Sequence, residues 1–88
     1  MSRRRVYSEA TLATMDRFFL AIDTCKKQKI IKTVTGYCED NGIYAPHFYM
    51  QRKDRNRGFF EVGWMCALVE KYHVSSYWLL TGMGQMFG

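Results

Sequence analysis

Leu12, Met15, Phe19 and Ile22 recur three and four residues apart, and Phe60, Trp64, Leu68 and Tyr72 repeat the pattern with Met65 and Val69 beside them. This spacing gathers apolar groups on one helix face. No segment shows the sustained alternation of a half-buried strand, and no internal repeat is visible. The chain is therefore expected to be all-α. At 88 residues it is one domain, and a domain this small buries only about 60% of its unfolded surface. Its large side chains must fill a thin core, and 48% hydrophobic and 16% aromatic residues suffice for that. The same aromatic content excludes intrinsic disorder.

Five helices are predicted. The first seven residues are basic and aperiodic and read as a flexible arm. Ser8 is an N-cap with Glu9 in the first turn, and Lys26, Lys27 and Lys29 suit the far end of a helix dipole, so helix one runs from Ser8 to Gln28. Lys32 or Thr33 opens a second, shorter helix that ends near Asn41, with Gly42 placed for a left-handed C-cap. Gly36 inside it costs about 1 kcal/mol against Ala, which predicts a close approach there. Pro46 stands in the first turn of a third helix that carries Phe48 inward and ends near Arg52. RKDRNRG, residues 52–58, reads as an exposed loop. The Phe60–Tyr72 face is helix four, broken by His73 and Val74; Ser75 caps helix five, Ser76 to Thr81, which Gly82 stops.

Thirteen Lys and Arg against eight Asp and Glu give a net charge of +5. That excess points to an anionic partner, with nucleic acid first. Cys25, Cys38 and Cys66 form no CxxC pair and are odd in number, so a reduced, cytoplasmic setting is expected. With His47 and His73 they match no zinc-ligand spacing, and no metal or cofactor is expected. Phe18 to Ile22 is too short an apolar run to cross a bilayer, and Arg3, Arg4 and Arg5 are not followed by a hydrophobic signal region. No Ser, Cys and His stand in a nucleophile–base pattern, so the chain is not expected to be an enzyme.

Two short helices joined by GIYAP, Gly42 to Pro46, form a helix-turn-helix candidate in which Ile43 and Phe48 anchor the second helix and its other face is presented to a major groove. More specific is VSSYWLLTGMGQM, Val74 to Met86. Val74, Ser75, Trp78, Leu79, Leu80, Thr81, Gly82, Gly84 and Met86 resemble a signature of the lambda-repressor-like, Xre-type helix-turn-helix family, in the DNA-binding domain of phage repressors. GYCEDNGI, residues 36–43, and the aromatic face of helix four extend the resemblance over roughly Thr14 to Met86. It implies a compact five-helix helix-turn-helix domain that binds double-stranded DNA sequence-specifically, usually as a dimer on a two-fold operator. Trp78, Leu79 and Leu80 are expected as core, clamping helix five against helices one and four.

The candidate DNA-binding residues follow from these placements. Arg52, Lys53, Arg55 and Arg57 directly follow the reading helix and form a phosphate clamp or a solvated loop. Lys32, Thr33 and Thr35 sit where α-helical amides can hold a phosphate, and Thr33 serves equally as a plain cap. Arg3 to Arg5 suit a minor-groove arm or an untethered terminus. His47 can bond a base or phosphate, Tyr44 and Tyr49 can stack or pack at the core edge, and Met50 can touch a thymine methyl. Gln51 has base-reading chemistry but falls where the family often has a buried apolar residue. Met83, Met86 and Phe87 either pack on helix one or mediate dimerisation. A second reading is a protein-interaction module on the same fold. It is favoured by Tyr44, Ala45, Pro46 and His47, which stand where the family usually carries Ser, Asn, Gln, Lys or Arg.

Overall fold

Ser8 opens the first helix as its side-chain oxygen accepts the Thr11 N–H at 3.2 Å. The chain is described by a computed structural model over residues 6–88. Among these residues lie five helices, α1 (Glu9–Lys27), α2 (Val34–Asp40), α3 (Ala45–Lys53), α4 (Gly63–Tyr72) and α5 (Ser76–Thr81), and no β-strand. An isolated antiparallel bridge pairs Val74 with Phe87. The radius of gyration is 12.5 Å, close to the ~12 Å of a folded chain of this length.

The core is built around Phe18, which is fully buried. Its ring meets Phe19, Phe48 and Phe60 edge-on at 5.0, 5.9 and 5.5 Å between centroids. Edge-to-face contact suits the ring quadrupole and adds about 0.5–1.5 kcal/mol per pair beyond area burial. α3 and the segment before α4 thus converge on one residue of α1. Tyr37 joins α2 to α4 by donating its hydroxyl to the Trp64 carbonyl at 2.7 Å. Burial, then the neighbouring Tyr72 and Cys38, raise the Tyr37 hydroxyl well above its ordinary pKa. Arg17 joins α1 to α5 through Nε, which donates to the Leu79 carbonyl at 2.7 Å.

The turn between α2 and α3 is determined by Gly42. Its φ of +68° is left-handed, a conformation open to glycine at no steric cost. Ile43 N–H returns to the Cys38 carbonyl at 2.8 Å and Gly42 N–H to that of Glu39 at 3.5 Å, the paired bonds of a Schellman motif. Ile43 is then buried, so the turn is fixed by hydrogen bonds and by packing. The close approach predicted at Gly36 is the helix's own cap: an added Cβ would stand 2.8 Å from Thr33 Oγ1.

Several expectations are corrected. Helix four begins at Gly63, not Phe60, because the Phe59 and Phe60 amides are both bonded to Gln51 Oε1 at 3.0 Å. Phe60 reaches the core from the preceding loop. Residues 54–60 are half-buried, not an exposed loop. In α5, Leu79 is 2% exposed whereas Leu80 is 61% exposed, and Trp78 is half-buried. Consecutive helical residues point about 100° apart, so a short helix resting on one side cannot bury all three. The tail folds back: Ser75 N–H donates to the Met86 carbonyl at 2.7 Å and Gly88 N–H to that of His73 at 3.2 Å. Met86 and Phe87 pack against the core beside Val74, and Met83 is exposed. The expected arm of residues 1–7 is tied at its end, where Tyr7 donates its hydroxyl to the Arg57 carbonyl at 3.2 Å. Arg3, Arg4 and Arg5 lie outside the described residues.

Candidate nucleic-acid interface

Phe48 and Gln51 turn inward from α3 and are wholly buried. Helical geometry then sends Pro46, Tyr49, Met50 and Lys53 outward, and all four are exposed. Pro46 supplies a pre-set φ in the first turn, where a missing N–H costs nothing. Tyr44 occupies the N-cap without making a side-chain cap bond, and its ring is free to lie on the surface, 64% exposed.

Gln51 is the polar residue on which the following loop depends. Besides accepting the Phe59 and Phe60 amides, it donates through Nε2 to the Arg55 carbonyl at 2.6 Å. A fully buried amide must satisfy its donors and acceptor within the protein, and here the loop supplies the partners together with Met15 Sδ, which accepts from Nε2 at 3.6 Å. Its amide has base-reading chemistry, but Gln51 lies in the core, at a place where the resemblance leads one to expect a buried apolar residue.

The candidate residues divide into two groups. Thr35 and Tyr49 share a hydroxyl–hydroxyl hydrogen bond of 2.8 Å across α2 and α3. Tyr44 meets the His47 ring edge-on at 4.7 Å, and His47 stacks on Phe59 at 4.0 Å and 11°. Met50 completes this surface at 38% exposure. Lys53 is exposed in the last turn of α3, Arg52 lies 3.7 Å from Asp23 on α1, and Lys32 is exposed beside Tyr37, Asp40 and Tyr72. Tyr44, His47, Tyr49 and Met50 are thus exposed from the start and middle of α3, and Arg52 and Lys53 stand in its last turn.

Thr33, Arg55 and Arg57 are engaged elsewhere. Thr33 Oγ1 accepts the Gly36 N–H at 2.9 Å and so acts as the α2 cap. Arg55 donates through Nε to Asp16 Oδ1 at 2.7 Å, lies 4.4 Å over the Phe19 ring, and donates through Nη1 to the Arg52 carbonyl. Arg57 Nε stands 3.8 Å from Asp54 Oδ2. The four cations of the segment are thus unequal: Lys53 faces outward from α3, Arg52 lies on its flank toward Asp23, and Arg55 and Arg57 hold the loop. Phe59, the floor beneath His47, carries no signal in the sequence spacing because it belongs to no helix.

A second surface lies between α4 and α5. Met65, Val69, Leu79 and Leu80 line an apolar cleft of about 240 Å³ with Val62 and Cys66 at its rim. Val62 is 71% exposed. Among the described residues, no three His, Cys, Asp or Glu side chains are grouped to hold a metal ion, and no helix is long and apolar enough to cross a membrane. Compared with known proteins, the chain matches no family model, no curated protein sequence and no solved structure.

Proposed function

We propose that the chain binds double-stranded DNA as a helix-turn-helix transcriptional regulator, with α2 and α3 as the motif and α3 as the reading helix. The observation that carries this is α3 itself. It exposes an entire face that ends in Arg52 and Lys53, on a chain of net charge +5. A helix with its side chains fits the major groove, and flanking cations on phosphates fix its register. The signature at Val74 to Met86 resembles that of phage repressors and supports a repressor that occupies its operator sterically as a homodimer.

The test is fluorescence anisotropy of labelled duplex DNA at several salt concentrations, with two charge variants. Affinity falls with salt, and Lys53→Gln lowers the slope of log K against log salt by about one without loss of stability. Arg55→Gln instead costs about 1–2 kcal/mol of folding stability, because its guanidinium serves Phe19 and Asp16. Salt-independent or absent duplex binding refutes the proposal. In that case the α4–α5 cleft favours the second reading, a protein-interaction module on the same helices.

A further inference from the structure

We propose that the outward face of α3 recognises the C5-methyl groups of pyrimidines in the major groove, so that the preferred DNA is thymine-rich or C5-methylated. This rests on the duplex-DNA reading above and names the chemistry read at that same site.

The argument begins with what α3 cannot do. Discrimination by hydrogen bonds uses bidentate groups: Arg or Lys on guanine, or Asn or Gln on adenine. The single amide side chain of α3, Gln51, is fully buried, and it is bonded to the Arg55 carbonyl and the Phe59 and Phe60 amides. Arg52 points from the flank of the helix toward Asp23, about 100° round from Lys53 and Gln51 on either side. His47 has one ring face closed by Phe59 and its edge against Tyr44. None of them stands at the centre of the outward face, and Lys53, the remaining candidate, is the last residue of α3, whereas a reading helix contacts base edges with its N-terminal residues.

That centre is Pro46, Tyr49 and Met50, with Lys53 at the C-terminal end. Tyr49 is 41% and Met50 38% exposed, a ring and a polarizable thioether side by side. The Tyr49 hydroxyl is held by Thr35, which fixes the ring against α2 and spares it the entropy of ordering on contact. The one base-edge feature of the major groove that an apolar side chain prefers is the thymine methyl, and 5-methylcytosine carries the same group at the same place. Cytosine and uracil lack it. The surrounding cations supply the phosphate attraction that an apolar patch alone would not have.

Four duplexes test this at one salt concentration and then at several: alternating dA–dT, its counterpart with uracil for thymine, alternating dG–dC, and the same with every cytosine C5-methylated. The expected result is tighter binding to the methylated member of each pair, by about fourfold for each methyl covered, the factor from burying one methylene-sized group. The salt slope stays the same within a pair, because the phosphates are unchanged. Met50→Gln, at an exposed position that leaves the helical circular dichroism intact, removes most of the preference but not the slope. Equal affinity for thymine and uracil duplexes, with salt-dependent binding retained, overturns this inference and leaves the duplex reading standing. Absence of salt-dependent binding to all four overturns both. Tighter binding to single-stranded dT than to any duplex also overturns it, since ring stacking would then replace groove contact.

Discussion

Replacing Gln51 by Met tests whether one amide organises the segment between α3 and α4. Met keeps the length and volume of Gln and removes its hydrogen-bonding atoms. The Phe59 and Phe60 N–H groups lose an acceptor at 3.0 Å, and the Arg55 carbonyl loses a donor at 2.6 Å. An unsatisfied buried backbone group costs about 1–3 kcal/mol. Residues 55, 59 and 60 are half-buried, so water reaches some of them and the lower part of that range applies. The sum is about 2–4 kcal/mol, against a total of about 4–13 kcal/mol for a domain of this length. Urea unfolding followed by circular dichroism should show the midpoint lowered by about 2–4 M, for a slope near 1 kcal/mol per molar. Gln85→Met, at an exposed position, should move stability by no more than about 0.5 kcal/mol. If Gln51→Met unfolds within experimental error of the parent, the loop is held by Phe60 packing alone and the role given to Gln51 is wrong.

Two further outcomes follow from burial. Leu79→Ala should cost about 2–5 kcal/mol and Leu80→Ala less than about 0.5, and equal losses on thermal unfolding would refute the placement of α5. Burial raises the Cys38 thiol from 9.0 to about 11, with Glu39 adding to it, and raises Cys25 and Tyr37 as well. The folded chain therefore keeps protons that the unfolded chain releases. The stability from these groups is complete below about pH 9 and is lost as pH rises through about 11. Urea midpoints should fall between neutral pH and about pH 10, and a midpoint constant or rising over that range would count against it.

The helices were legible in the sequence because their caps act locally. Ser8, Thr33 and Ser75 each accept a backbone N–H within their own first turn, and Gly42 and Gly82 adopt the left-handed conformation that stops a helix. None of this needs a distant partner, so spacing and residue type suffice. The errors arise where a tertiary contact overrides the local pattern. Phe60 has the right spacing from Trp64 to belong to α4, yet its amide is taken by a side chain nine residues earlier. Leu80 has a core-like composition around it, but α5 is 6 residues long and buries a single face.

The candidate interface was legible in its chemistry and not in its division of labour. A run of cations after a candidate reading helix is visible in RKDRNRG, but the four side chains cannot be told apart there. What separates them is α1, whose Asp16 and Asp23 and whose Phe19 ring are brought up against the run only by the fold. Arg55 reaches across 39 positions of sequence to Asp16, whereas Lys53, one turn off the core face of α3, has no such neighbour within the helix. The position of Gln51 works in the same way. Three residues from Phe48, it shares the inward face, and a polar group at that place has to be matched from inside the protein. The loop that follows provides the matching groups, and this removes from the outward face the one amide that could have read adenine. The aromatic and thioether surface that remains is therefore a consequence of how the core is satisfied, and it is the surface on which the proposed contact with duplex DNA depends.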